Sequence, residues 1–298
     1  MKKSISIFLC ILLLITTFCG CAAKPKDNGR IKIVTTVFPL YDFARAVVGD
    51  KGEVKLLIPP GGDIHSFEPT ARDVAEIQDS DLFLYIGGES DAWVDKILSA
   101  IDISVAAVVK MADSVTLIED DHHGYDEHIW TSPDNAVKML QQIETTISRI
   151  DAENADYYAE AAASYTNKIN SVEAETRKVI AESNKKTIVV ADRFPLIYFT
   201  EYYGLDYVAA FGGCEHDTDA DLLTVTRLID RVKQENLTAV FCVELSNLSV
   251  ADTVSAATGA KVLELHSAQN ISAGELTSGV TYVDIMQKNA EALREGLK

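Results

Sequence analysis

The stretch Asp151–Ser183, DAENADYYAEAAASYTNKINSVEAETRKVIAES, decides the architecture. It contains neither Gly nor Pro. Asp151 stands where an N-cap belongs, Glu153 puts an acid in the first turn, and Asn154 occupies the position that can bond back. Tyr158, Ala161, Tyr165, Ile169, Val172, Thr176 and Val179 recur at the spacing of one helix face. About 30 residues rising 1.5 Å each make a rod of roughly 45 Å, longer than the usual helix of a compact domain. A coiled-coil segment or one helix of a large domain would also use such a stretch. A stiff spine joining two lobes fits the flanking sequence better.

Both flanks alternate short apolar runs with amphipathic ones. Before the spine, Ile31–Val37, Val54–Ile58, Leu82–Ile86 and Val105–Val109 read as strands. Between them Tyr41–Val48, Ala71–Gln78 (capped by Thr70) and Trp93–Ala100 read as helices, and Ser132-Pro133 opens another. After the spine, strands are expected at Thr187–Ala191, Tyr207–Phe211, Ala239–Val243 and Val262–Leu265. Helices are expected around Tyr198–Tyr203, Asp221–Gln234, Val250–Thr258 and Tyr282–Gly296. Strands that alternate with helices predict buried parallel sheets. The expected fold is α/β: two α/β lobes with mostly parallel sheets, joined by a long rigid interlobe α-helix. The expected divisions are 31–132 for the first lobe, 133–183 for the linking helices and 184–298 for the second lobe.

Residues 1–20 read as a signal peptide, with Lys2 and Lys3 ahead of the apolar run Ile5–Phe18. Phe18-Cys19-Gly20-Cys21-Ala22 resembles a bacterial lipobox, which implies cleavage before Cys21 and lipid on its thiol. Residues 21–30 then form a polar tether. This places the protein outside the cell membrane, lipid-anchored, as a monomer. The whole 298-residue chain is 47% hydrophobic and 24% charged, with a formal net charge of −18. Such a surface repels nucleic acid and favours cations. Cys214 and Cys242 are the two cysteines beyond the leader; they could pair or stand as separate thiols.

The histidines carry the chemistry. His65 follows a strand through Pro59-Pro60-Gly61-Gly62, His128 follows the acidic loop Glu119–His128, and His266 directly follows the strand Val262–Leu265. In such sheets ligands bind at the carboxyl ends of strands. Neutral imidazole suits Zn²⁺, whereas Mn²⁺ prefers more oxygen. A single such histidine is more often a solvated or core residue than a ligand. Three at strand ends, drawn from both lobes, raise the metal reading above that.

Several stretches, in order along the mature chain, carry a resemblance to a known family. They are Thr36–Asp50 (TVFPLYDFARAVVGD), His65–Pro69 (HSFEP), His128–Ala136 (HIWTSPDNA), Asp151–Tyr158 (DAENADYY) and Thr258–Leu265 (TGAKVLEL). Together they resemble the metal-binding receptors of ABC importers, the zinc/manganese class (cluster A-I) with a rigid interlobe helix. The resemblance implies that His65 and His128 are metal ligands. The family's third ligand, a His or Glu, falls on Ala191-Asp192-Arg193-Phe194-Pro195. Asp192 is the candidate anion there, while alignment over Tyr198-Phe199 puts Arg193 at that place. The fourth family position, an Asp after the last core strand, aligns with His266. The expected set is therefore His65, His128 and His266, with Asp192 or water completing four. Glu244 ends a strand too and is expected to be structural. His122 and His123, among Asp120, Asp121, Asp126 and Glu127, resemble a short version of a zinc receptor's collecting loop; a solvated acidic loop reads equally well. His216, beside Cys214, Glu215 and Asp217, reads as part of a polar loop.

These readings point to a receptor, not an enzyme. It would capture extracytoplasmic Zn²⁺ and deliver it to an ABC permease powered by its ATPase, with affinity falling below about pH 6.5 as imidazoles protonate. A Mn²⁺-preferring receptor is the alternative within the class. A siderophore, haem or corrinoid receptor would need an aromatic or Arg-lined pocket. A zinc hydrolase would need an open metal position and a general base, and no H-E-x-x-H, G-x-S-x-G or P-loop is present. An adhesin would fit the exposed anchor but has no sequence feature of its own.

Overall fold

Four short runs, Ile31–Thr35 (β1), Gly52–Leu56 (β2), Leu82–Tyr85 (β3) and Ala107–Lys110 (β4), form a parallel sheet in the order β2-β1-β3-β4. The computed structural model describes residues 29–101, 107–120, 124–213 and 220–298. Crossovers run through helices Phe38–Val48 (α1), Ala71–Gln78 (α2) and Ala92–Ala100 (α3). As Thr70 predicts, α2 opens with a reciprocal capping box between Thr70 and Asp73. Glu119–Asp120 (β5) and Gly124–Tyr125 (β6) pair antiparallel just ahead of His128.

Pro133–Ile150 (α4) and Ala155–Glu182 (α5) link this sheet to a second one. Thr187–Val190 (β7), Asp206–Ala209 (β8), Ala239–Cys242 (β9) and Lys261–Glu264 (β10) are again all parallel, in the order β10-β9-β7-β8. Counted within its own lobe, each sheet places its first strand between its second and third. Both lobes thus share one topology, and both reverse strand order beside their first strand, where such folds bind ligands. Ile197–Tyr203 (α6), Leu222–Gln234 (α7), Ser249–Thr258 (α8), Ala273–Ser278 (α9) and Tyr282–Gly296 (α10) complete the chain.

The spine is α5, whose 28 residues make a rod of roughly 42 Å. It starts at Ala155, not at Asp151. Asp151 already closes α4, and Ala152–Asn154 form one 3₁₀ turn. Asp151 therefore braces the corner: its carboxylate accepts from the Asn154 amide at 2.7 Å and the Tyr158 hydroxyl at 2.5 Å. The buried face is Tyr158, Ala162, Tyr165, Ile169, Val172, Thr176, Val179 and Ile180. Tyr158 to Val172 enter the core of the first lobe, while Val179 and Ile180 enter that of the second.

Residues Ile31–Lys298 form one compact unit. The division expected at residue 184 separates the sheets but not the cores. Tyr282, Ile285 and Met286 of α10 pack with the first lobe, and Leu293 packs with the second. Asp42 on α1 fastens the arrangement: its buried carboxylate accepts from the Tyr165 hydroxyl, from Tyr282 N at 2.8 Å and from Arg45 Nη2 at 2.6 Å. Burial raises the Asp42 carboxyl above its ordinary 3.8 despite these donors. Among the described residues no helix is long and apolar enough to cross a membrane.

Candidate metal centre

His65 lies on the loop after β2, where Gly61 adopts φ +79° to make the turn. That loop is tied to the other lobe, since Gly61 N donates to Ile271 O at 2.9 Å and the Asn270 amide donates to Pro59 O at 3.3 Å. His65 Nδ1 hydrogen-bonds the Ser90 hydroxyl at 2.8 Å. Ser90 follows β3, and its own N–H donates to Glu127 Oε1 at 2.8 Å. Glu127 needs the glycine at 88: a Cβ there would come within 2.5 Å of Oε1, and φ is +91°. Next along, Asp91 Oδ2 accepts from Ile86 N at 2.8 Å and Gly87 N at 2.9 Å. Burial first, and the nearby Glu127 charge second, push the Asp91 carboxyl up to about 7.

His128 is fully buried. Asp126 Oδ1 accepts from its Nδ1 at 3.0 Å and from its backbone N at 2.9 Å. A neutral ring held this way keeps its lone pair at Nε2. Nε2 faces the Gln269 amide oxygen, Oε1, at 3.0 Å, which accepts from it when the ring is protonated. Burial is the largest influence on the ring and lowers its pKa. Asp126, by charge and hydrogen bond, with help from Glu127 and Gln269, outweighs burial and holds it above the ordinary 6.5. Asp126 is correspondingly held below 3.8. The His65 and His128 rings lie 6.2 Å apart at 61°, and Trp130 meets His128 edge-on at 5.5 Å. The structure brings these two expected ligands together, with Nδ1 of each tied to an oxygen partner, Ser90 Oγ and Asp126 Oδ1, the arrangement that orients metal-binding imidazoles.

His266 is buried, and Ala268 N donates to its Nδ1 at 2.9 Å. Its Nε2 is buried, 3.9 Å from Glu275 Oε1, with no hydrogen-bond partner among the described residues, so His266 remains a proposed ligand. Its backbone N–H and C=O are both bonded to the Asn289 amide, at 2.8 and 2.7 Å. Asp192 remains a proposed ligand too, its Oδ2 being buried with no hydrogen-bond partner among the described residues. Its Oδ1 accepts from the adjacent Arg193 N at 2.8 Å, and its charge bears on Cys242, whose buried thiol is pushed up to about 12, chiefly by burial. Glu244 is structural as expected: it accepts from Ser267 N at 2.8 Å and Ser267 Oγ at 2.6 Å. Among the described residues, no group of three or more His, Cys, Asp or Glu side chains could hold a metal ion. Cys21, His122, His123, Cys214 and His216 lie outside the described residues.

The sequence reading missed Gln269, Ser90 and the partnership of Asp126 with His128. Gln269 and Arg193 line a cleft cavity of ≈ 160 Å³ between the lobes, together with Gly61, Gly62, Gly213 and Asn270. Gly213 allows a close approach, since a Cβ there would come within 3.0 Å of the Phe194 carbonyl, 3.1 Å of Asp126 Oδ2 and 3.5 Å of His128 Cε1. The strand-end position of residues 267–270 was the available signal for Gln269, but an amide is not among the usual ligand types.

Comparisons with known proteins agree with this architecture. The family described as ZnuA, zinc-uptake complex component A, periplasmic, matches residues 33–296. The high-affinity zinc uptake system protein ZnuA of Bacillus subtilis (strain 168) is 30% identical over 286 aligned positions, covering 91% of this chain and 89% of that protein. The zinc-binding lipoprotein AdcA of Streptococcus pneumoniae (strain ATCC BAA-255 / R6) is 28% identical over 310, covering 98% of this chain and 61% of AdcA. This chain thus spans about three-fifths of that relative's length. Among solved structures, the metal-dependent lipoprotein YcdH from Bacillus subtilis aligns with a TM-score of 0.81 at 30% identity, covering 90% of this chain and all of that one. The Zn(II)-bound ZnuA-like domain of Streptococcus pneumoniae AdcA aligns at 0.79 and 28% identity, covering 90% and 99%.

Proposed function

Because the chain belongs to the zinc-uptake complex component A family, a transport component and not an enzyme, we propose that it is an extracytoplasmic Zn²⁺ receptor of an ABC importer. In this reading the cation is held in the interlobe cleft by His65 and His128, with His266 and Asp192 as the further proposed ligands, and handed to a permease driven by an ATPase. Lipid on Cys21 would keep the receptor, a monomer, at the outer face of the cell membrane. The observation that carries the proposal is the facing pair of rings, 6.2 Å apart, each oriented by its own oxygen partner. Imidazole nitrogen donors favour Zn²⁺ over Mn²⁺, which seeks oxygen. The zinc-bound AdcA domain of the same fold supports the choice of metal.

The test is metal analysis and competition binding on the full chain in detergent. His65→Ala and His128→Ala should each weaken zinc by about a hundredfold or more, because each removes a direct ligand. Zinc affinity left intact in either variant would refute the assignment.

A further inference from the structure

Building on the zinc-receptor reading, we propose that the Gln269 side chain gates the metal centre. It holds Nε2 of His128 while the site is empty, and its release sets how fast the cation enters. Gln269 Oε1 stands 3.0 Å from that nitrogen. Asp126 ties the opposite ring nitrogen, Nδ1, at 3.0 Å, so Nε2 is the atom left to meet a cation. An amide suits this post in either state of the ring. Its oxygen accepts from a protonated Nε2, and its NH2, once turned, donates to the lone pair of a neutral one. The contact therefore does not depend on the charge of His128.

The proposed ligand atoms of the second lobe carry no such cover. His266 Nε2 and Asp192 Oδ2 are buried and make no hydrogen bond with the described residues. Around Gln269 the backbone is fixed while the side chain is not. Gln269 N donates to Ser267 Oγ at 3.1 Å, and Glu244 accepts from Ser267 N and Oγ at 2.8 and 2.6 Å. Trp130 Nε1 donates to Ser267 O at 2.8 Å, and the Asn270 amide donates to Pro59 O at 3.3 Å. The half-buried Gln269 amide has one hydrogen-bond partner among the described residues, His128. It also lines the cavity of ≈ 160 Å³, whose wall at Gly61, Gly62 and Gly213 carries no side chains. That space takes the amide as it swings off the ring, so the nitrogen is uncovered without moving the loop or parting the lobes. A protein whose competent state is a fraction of the population binds with an affinity reduced by that fraction. One hydrogen bond in the empty receptor therefore costs about two- to tenfold in zinc affinity, taken from the association rate.

The experiment is stopped-flow zinc binding by the full chain in detergent at pH 8, with a chromophoric chelator reporting free zinc. It compares the native protein with Gln269→Ala and Gln269→Leu. Both variants lose the bond, and Gln269→Leu keeps most of the bulk. Association should quicken about two- to tenfold in both. Equilibrium affinity should tighten by the same factor, and dissociation into excess EDTA should be no faster than native. Thermal melts of the metal-free proteins check folding. A gain in Gln269→Ala alone would mean that bulk and not the bond restrains entry, and would overturn the inference. So would association that is unchanged or slower in both variants. So would faster dissociation, which marks a side chain that ligates zinc or orders the site. Each of these leaves the zinc receptor intact, provided that the native chain binds zinc; a native chain that binds none overturns both readings.

Discussion

Replacing Asp126 with Asn should change zinc binding in two directions at once. The substitution keeps the shape of the side chain and an oxygen for the His128 ring, but removes the charge. In the native protein the carboxylate accepts from Nδ1 at 3.0 Å and makes the Nε2 lone pair more basic. Loss of such an outer partner costs roughly 10- to 100-fold in metal affinity, about 1.4–2.7 kcal/mol, measured at pH 8 where the ring is neutral. Protons compete with zinc for the same nitrogen. Native His128 is held above 6.5, so protons compete with zinc for it from above that pH. Without Asp126, burial is left to lower the ring's proton affinity, so the variant's zinc affinity, relative to its own value at pH 8, should fall off only at lower pH. A chromophoric chelator competed against the protein at pH 8, then followed down to pH 5, reads both effects. Equal affinity at pH 8, or a fall-off relative to pH 8 that is unchanged or begins at higher pH, would refute the assignment of His128 as a ligand oriented by Asp126.

Ser90→Ala should weaken zinc about tenfold by freeing the His65 ring from its oxygen partner. Ser90→Thr, which keeps the hydroxyl, should restore most of it; the same competition assay checks both. Tyr165→Phe removes a donor from the buried Asp42 carboxylate. It should lower stability by about 1–3 kcal/mol in urea unfolding and leave zinc stoichiometry unchanged, since Asp42 lies among the helices and not in the cleft.

The architecture was legible because its signals are local. Thr70 and Asp73 announce α2, Gly204 and Gly259 end helices in the left-handed conformation, and the 3.6-residue stripe of the spine has nearly the observed buried face. The site was legible only where a motif carries its own support. His128 has its orienting carboxylate two residues away, and His65 sits in HSFEP. What residue type does not announce is the backbone contacts around these side chains. Ala268 adopts φ +61°, a conformation unusual for alanine, and this turns its N–H onto His266 Nδ1. Asp192 Oδ1 likewise takes the next backbone N–H. Gln269 meets His128 across 141 residues of sequence.

These long-range contacts also constrain how the receptor can work. The loops bearing both histidines belong to the first lobe, yet the second lobe holds them. Trp130 Nε1 donates to Ser267 O at 2.8 Å, the Tyr282 hydroxyl to Trp130 O at 2.8 Å, and the Tyr198 hydroxyl to Asp126 O at 2.9 Å. Asn270 and Ile271 grip the loop of Pro59 and Gly61. Separating the lobes would break all of these, at roughly 0.5–1.5 kcal/mol each, and would also part the core shared through α5 and α10. Such an open state would be populated well below ~1%. Zinc exchange therefore falls to smaller moves. Nε2 of His128 must leave the Gln269 amide for the cation to enter, and a return of that amide would help it leave. The amide contact costs far less to exchange than a lobe opening, and it lies at the cavity that Gly213 and Arg193 also line, where a docked partner could reach the loops without parting the cores.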